Sequence, residues 1–239
     1  MRVKSLAFFG ALAASVSHEL NNVLAIINEH SGLIDDVAEA ARHGVAPDPD
    51  KLKRISAKIS RQIERGKDLI KRLNRFAHSA DREVTSFDLN SLLDDIANLT
   101  QRIAGLKGIQ IVFKPAAAPI AIESNPFCLQ QAVFVCFRLF LSASDKNRLV
   151  TISAACPPAR PGAREAVAGP IIRLSGAALP ERSSERETYE YLEMLLEEIN
   201  GDLQFVSSEI DGQSILIRLS SASGGAGNFS HEGASNGQG

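Results

Sequence analysis

Tryptophan is absent from this 239-residue chain, tyrosine occurs twice, and aromatic residues reach only 5%. A core built from such a chain must be mostly aliphatic. Cysteine is also scarce: Cys128, Cys136 and Cys156 match no zinc-ligand spacing, and no Cys-x-x-Cys occurs. An odd count without a framework points to reduced thiols and a cytoplasmic setting. No apolar run approaches the roughly 18 residues needed to cross a bilayer, so no membrane partner is expected. Neither sign of charge dominates: 26 Lys and Arg against 28 Asp and Glu leave a net charge of −2. That balance excludes a polycation made to coat nucleic acid. What is present is 44% apolar content, enough for two small domains and too much for a disordered chain.

The first 16 residues, MRVKSLAFFGALAASV, have the basic head, apolar stretch and Ala11-Leu12-Ala13 step of a signal peptide. Helical spacing argues against that division. Leu6, Phe9, Ala13, Val16, Leu20, Val23/Leu24, Ile27, Leu33/Ile34 and Val37 recur every three or four residues straight through the cleavage point. One amphipathic helix over Ser5–Arg42 accounts for them. At the far end, Ala222–Gly239 is rich in Gly, Ser and Asn with almost no apolar residue, and is expected to be disordered.

Gly44 supplies a stop, and Val45-Ala46-Pro47-Asp48-Pro49-Asp50 reads as a tight connection. Asp50 is the expected cap of a second helix, Lys51 to about Ala80, with its apolar stripe at Leu52, Ile55, Ile59, Ile63, Leu69/Ile70, Leu73 and Phe76. Two long helices with a short loop form an antiparallel hairpin, placed here over residues 1–82. One hairpin cannot bury both stripes by itself. Pairing two copies into a four-helix bundle solves this with a homodimer; packing the hairpin on the rest of its own chain is the alternative. The second helix carries ten basic residues between Lys51 and Phe76 against Glu64 and Asp68. Such a run is either a solvated face or a dock for an acidic partner, with Arg61 and Arg65 as candidate contacts. Nucleic acid is not the expected partner, because no aromatics are interleaved and no DNA-reading motif surrounds the run.

His18 stands in Ser17-His18-Glu19-Leu20-Asn21-Asn22. A zinc protease helix needs His-Glu-x-x-His, and Asn22 occupies the position of the second ligand, so no metal site is expected. What remains is an imidazole with a carboxylate beside it and an amide one turn on, at i+4, on the same face. A neutral imidazole nitrogen is a competent nucleophile near pH 7. Glu19 can hold the tautomer or take a proton, and Asn22 can position a water or a phosphoryl oxygen. The residues themselves do not choose between these roles.

At these positions the chain resembles a known family. SVSHELNNVLAII is similar to the phospho-acceptor box of two-component sensor histidine kinases, with Val23 where the family usually has proline. LIKRLNRFAHSADREVTSFDLNSLL resembles the segment leading into their ATPase domain. Beyond Val84 the pattern reads as helix Asn90–Ala104, strands Ile109–Lys114 and Ile120–Glu123, helix Pro126–Ser142, strands Leu149–Ala155 and Pro170–Ser175, helix Ser184–Ile199, and strands Asp202–Ser208 and Ser214–Leu219. This is an α/β sandwich over residues 83–221, in the order of the family's ATPase domain. The resemblance implies a fold of α plus α/β class: a hairpin forming a dimeric four-helix bundle, followed by a degenerate histidine-kinase-type ATPase sandwich.

The family's nucleotide-binding residues are missing where the resemblance would put them. LQQAVFVCFRLFLSASDK has no Asn before Asn147. Leu174 stands where the family has the adenine-reading Asp, and Ala178 where it has a second Gly. Arg186-Glu187-Thr188-Tyr189 occupies the last glycine loop, and five residues, Glu181–Glu185, leave no room for a lid. No cofactor is therefore expected. The resemblance implies a histidine phosphotransfer protein that carries phosphoryl on His18 between response-regulator receiver domains, with magnesium supplied by the receiver, an upstream sensor kinase as a further partner, and no autophosphorylation from ATP. Two alternatives stand beside it: a response-regulator phosphatase using Glu19 and Asn22, and a non-enzymatic adaptor that sequesters a regulator or kinase.

Overall fold

A computed structural model describes residues 2–81, 83–143, 148–157, 169–208 and 212–220. Two long helices come first, α1 (Arg2–Arg42) and α2 (Pro49–Ser79). They are followed by β1 (Thr85–Asp88), α3 (Leu89–Gly105), β2 (Ile109–Lys114), β3 (Ala121–Ser124), α4 (Pro126–Ser142), β4 (Arg148–Ala155), β5 (Ile171–Gly176), α5 (Arg186–Glu198), β6 (Gly201–Ser208) and β7 (Gly212–Leu219). The expected tail at Ala222–Gly239 and the position of Asn147 lie outside the described residues.

The hairpin turn is closed by local chemistry. Val45 N donates to Ala40 O and Gly44 N to Ala41 O, both at 3.1 Å, with Gly44 at φ +86°. This is the glycine-centred end that satisfies the last helical carbonyls, and a side chain at Gly44 would be strained. The cap of α2 is Asp48 and not the expected Asp50. Asp48 Oδ1 accepts from Asp50 N at 2.9 Å and Lys51 N at 3.2 Å, and Pro49 fills the first helical position. Proline needs no amide partner there, so the helix starts one residue before Asp50.

α1 runs unbroken through Ala11–Ala13, and Leu12 is fully buried. Its buried face differs from the expected stripe. Phe8, Leu12, Val16 and Val23 are buried, whereas Leu6 and Leu24 are exposed. The first turns are apolar on nearly every side, so spacing leaves the buried face undetermined, and the partner decides it. That partner is the second half of the chain. Phe8, Leu12, Val16 and Phe76 share one continuous core with residues of α3 and α4. The junction is aromatic: the Phe8 ring lies 5.2 Å from Phe76, edge-on, and 4.9 Å from Phe134, while Phe9 stacks on Phe76 at 5.4 Å. The hairpin thus packs on its own chain at its open end. Elsewhere it leaves Leu24, Ile34, Ile63 and Ile70 exposed.

The main sheet has the order β2-β4-β5-β7-β6, with β2 and β4 parallel and the other pairs antiparallel. Register aligns Ile152, Leu174 and Ile215 across three strands, all fully buried, and alternate residues of β5 form the inner face that the helices cover. The expected strands are all present, but the short one does not join this sheet. It pairs with β1, a strand the periodicity did not announce, in a separate two-stranded ribbon. Four residues, TSFD, are too few to show alternation. Asp88 ends that strand and caps α3, accepting from Ser91 N at 3.0 Å and from Ile120 N at 2.9 Å.

Candidate functional site

His18 and Asn22 are both exposed on α1, one turn apart, as the i,i+4 spacing requires. The neighbouring face of the same turns is anchored. Val16 is buried, and the Ser15 hydroxyl donates to Leu99 O of α3 at 3.4 Å. The helix therefore presents the imidazole to solvent from a backbone held against the second half of the chain.

Glu19 does not pair with His18 in the way the sequence suggested. Its side chain is 17% exposed; its carboxylate accepts a hydrogen bond from the Arg65 guanidinium and lies 4.0 Å from Arg102 Nη1. One carboxylate thus ties α1 to α2 and α3, beside a small polar notch of about 200 Å³ that Asp68 and Asn98 also line. Arg65, expected to face a partner, is turned inward to this pair, although half of it remains in water. Arg61, one turn earlier, is exposed. Sequence reasoning missed Arg102, because a contact between the first and third helices carries no local signal.

The basic excess of α2 has a second internal destination. Arg72 Nη1 donates to Asp94 Oδ2 at 2.6 Å and to Asp95 Oδ1 at 2.8 Å, while its Nε donates to Asp68 at 2.6 Å. Arg75 grips Asp95 with two donors, each at 2.6 Å. Burial by itself would pull the Arg72 guanidinium down; hydrogen bonds and charge from Asp68 and Asp94 more than offset it and leave it raised. The neighbouring pair Asp94-Asp95 was the available signal: two acids on one helix opposite a surplus of bases on another.

The stretch expected to correspond to the nucleotide loop is packed with side chains. Leu174 is fully buried inside β5. A Cβ on Gly176 would stand 2.6 Å from the Phe140 ring. The following loop is tethered where Leu179 N donates to Gln213 Oε1 and the Tyr189 hydroxyl donates to Pro180 O at 3.1 Å. α5 then opens on Glu185 and Glu187 without a side-chain cap.

No family model matches the chain. Over 152 residues it is 24% identical to the sensor histidine kinase ZraS of Klebsiella oxytoca, covering 64% of this chain and 31% of that one. The chain is sensor histidine kinase-like. It spans about a third of that relative's length. Solved structures of similar arrangement include the Acinetobacter baumannii histidine kinase AdeS, at 14% identity and TM-score 0.45, covering 86% of this chain and 98% of that one. A histidine kinase ThkA, solved in complex with response regulator protein TrrA, aligns at 17% identity and TM-score 0.46 over 92% of this chain and 64% of that one. Among the described residues no helix is long and apolar enough to cross a membrane.

Proposed function

We propose that this histidine kinase-like chain is a histidine phosphotransfer protein of a two-component phosphorelay. Its His18 takes a phosphoryl group from one phosphorylated receiver domain and passes it to the aspartate of another. The observation that carries the reading is the exposed His18–Asn22 face, on a helix whose adjacent face is pinned by Glu19 to Arg65 and Arg102. In the accepting step an imidazole nitrogen attacks phosphorus. The new N–P bond forms as the receiver's aspartyl O–P bond breaks, which regenerates the receiver carboxylate. Onward transfer is the reverse with a second receiver. Such chemistry is mostly positioning and charge neutralisation. The receiver brings magnesium. This chain brings the nucleophile, an Asn22 amide placed to hydrogen-bond a phosphoryl oxygen, and the exposed Arg61 to meet an acidic surface. Glu19 acts as a positioning residue that holds the helix.

Nucleotide stands outside this reading, because the residues do not fit one. Buried Leu174 offers adenine no acceptor, the Phe140 ring fills the space against Gly176, and Glu185 and Glu187 would repel a triphosphate. A second copy is the proposed cover for Leu24, Ile34, Ile63 and Ile70. The full-length protein is then expected to sediment as a dimer at tens of micromolar, and a monomer would remove that part.

The test is incubation with a panel of phosphorylated receivers. Label is expected on wild-type protein and absent from His18→Ala. Phosphatase activity is the second reading, favoured by Asn22 sharing the face of His18. Under it Asn22→Ala slows phosphate release by the loss of one oriented hydrogen bond, about 1–3 kcal/mol or roughly 5- to 150-fold. Receiver binding that yields neither label on His18 nor faster phosphate release, and is indifferent to both His18→Ala and Asn22→Ala, overturns both and leaves the adaptor.

A further inference from the structure

A cavity of about 460 Å³ opens where the first turns of α1 cross α4, between the end of α3 and the start of α5. Small residues make the room: Ala7 and Ala11 line it where α1 passes over the α4 face. Phe8, Phe134, Ile103 and Leu141 form an apolar wall. The polar groups in it are mainly donors. Gln131 is 2% exposed, and its Oε1 accepts from the Ser5 hydroxyl at 3.4 Å. That contact orients the amide and leaves Nε2 buried with no partner. Tyr191 is buried beside it, and desolvation raises its phenol above the usual range although Ser5 pulls the other way, so it stays protonated. The Lys4 ammonium sits 4.6 Å over the Tyr191 ring. Lys107 spends one of its three donors on Leu141 O at 3.1 Å. Arg138 completes the cations, against Glu185 and Glu187, so three positive charges face two negative ones.

We infer that this cavity is a binding site for a small amphipathic monoanion, an aryl or medium-chain carboxylate, unrelated to the phosphotransfer face. The size is that of an ordinary small-ligand pocket. The apolar wall takes a hydrocarbon or ring. An unpartnered buried amide N–H requires an acceptor, which a carboxylate supplies. The surplus of one positive charge matches one negative charge. A polyphosphate is disfavoured by the two glutamates and by the apolar wall. A ligand here touches α1, α3, α4 and α5 together, so its binding energy adds to the attachment of the hairpin.

Titration of the full-length protein with naphthoate by calorimetry tests the inference, with naphthalenemethanol as the neutral analogue and Mg·ATP as competitor. One naphthoate per chain is expected, with a rise in melting temperature, binding of the neutral analogue weaker by about tenfold or more, and no competition by Mg·ATP. Gln131→Leu removes the donor and is expected to weaken naphthoate by about tenfold. Arg138→Ala, an exposed position where folding is not at stake, is expected to weaken it several-fold. Absence of naphthoate binding at millimolar concentration overturns the inference. So does equal affinity for the neutral analogue, indifference to both substitutions, or displacement by Mg·ATP. None of these outcomes alters label transfer to His18, so the two proposals fail separately.

Discussion

Removing the Asp95 carboxylate should loosen the attachment of the hairpin to the second half of the chain by an amount the geometry bounds. The Asp95 side chain is 7% exposed and accepts three charge-assisted hydrogen bonds, at 2.6, 2.6 and 2.8 Å. Breaking a buried ion pair costs about 3–5 kcal/mol, chiefly because a charge is stranded. Here the stranding is partial. Arg72, 14% exposed, keeps Asp68 and Asp94, and Arg75, 44% exposed, turns to water. The cost of Asp95→Ala should fall below that range, at about 2–3 kcal/mol. For a chain of this size that lowers the melting temperature by about 5–10 °C. Arg75→Ala is the calibrating variant: it leaves Asp95 its bond from Arg72, so its cost should stay below that of Asp95→Ala, at about 1–2 kcal/mol. Scanning calorimetry at neutral pH in low and high salt reads both. The Asp95→Ala deficit should persist in about 1 M salt, which screens exposed pairs far more than buried ones. A parent-like melting temperature for Asp95→Ala, or a larger loss for Arg75→Ala than for Asp95→Ala, would refute the reasoning.

Two further expectations follow from other parts of the fold. Burial would raise the Asp88 carboxyl, but hydrogen bonds from Ser91 and from the amide of Ile120 more than offset it and hold it below the usual range. A lowered value means that the stability it contributes is full above the unfolded-state value near pH 4 and is lost as pH falls through the folded-state value. Asp88→Ala should therefore cost about 1–2 kcal/mol at neutral pH, and the gap to the parent should close in acid; a gap constant down to about pH 3 would contradict this. Burial pushes the Cys128 thiol up to about 12 and Cys136 upward as well, while Cys156 is exposed. A thiol reagent at mildly alkaline pH should find one fast site in the native protein and three after unfolding, with Cys156→Ser abolishing the fast phase; two fast native sites would be incompatible with the packing.

Much of the architecture was legible in the chain because its signals are local. Gly44 ends a helix by its conformation, Pro126 begins one without needing an amide partner, and runs such as Ile215–Leu219 alternate at the strand period. The same locality exposed His18 and Asn22: an i,i+4 pair shares a face whatever else the chain does. Three decisions came only with tertiary structure. The buried side of α1 was open in the sequence, because Leu6, Phe8 and Phe9 are equally apolar, and the Phe76 and Phe134 rings selected Phe8. The strand Thr85–Asp88 exists because Ala121–Ser124 pairs with it, which four residues cannot announce. Glu19 faces Arg65 and Arg102 because folding brings three distant segments together, and an ion pair's partner is set by proximity in space. Periodicity and caps act over one or two turns and can be read along the chain. Core faces, edge pairings and charge partners depend on which segments meet, and that is decided by the packing of the whole.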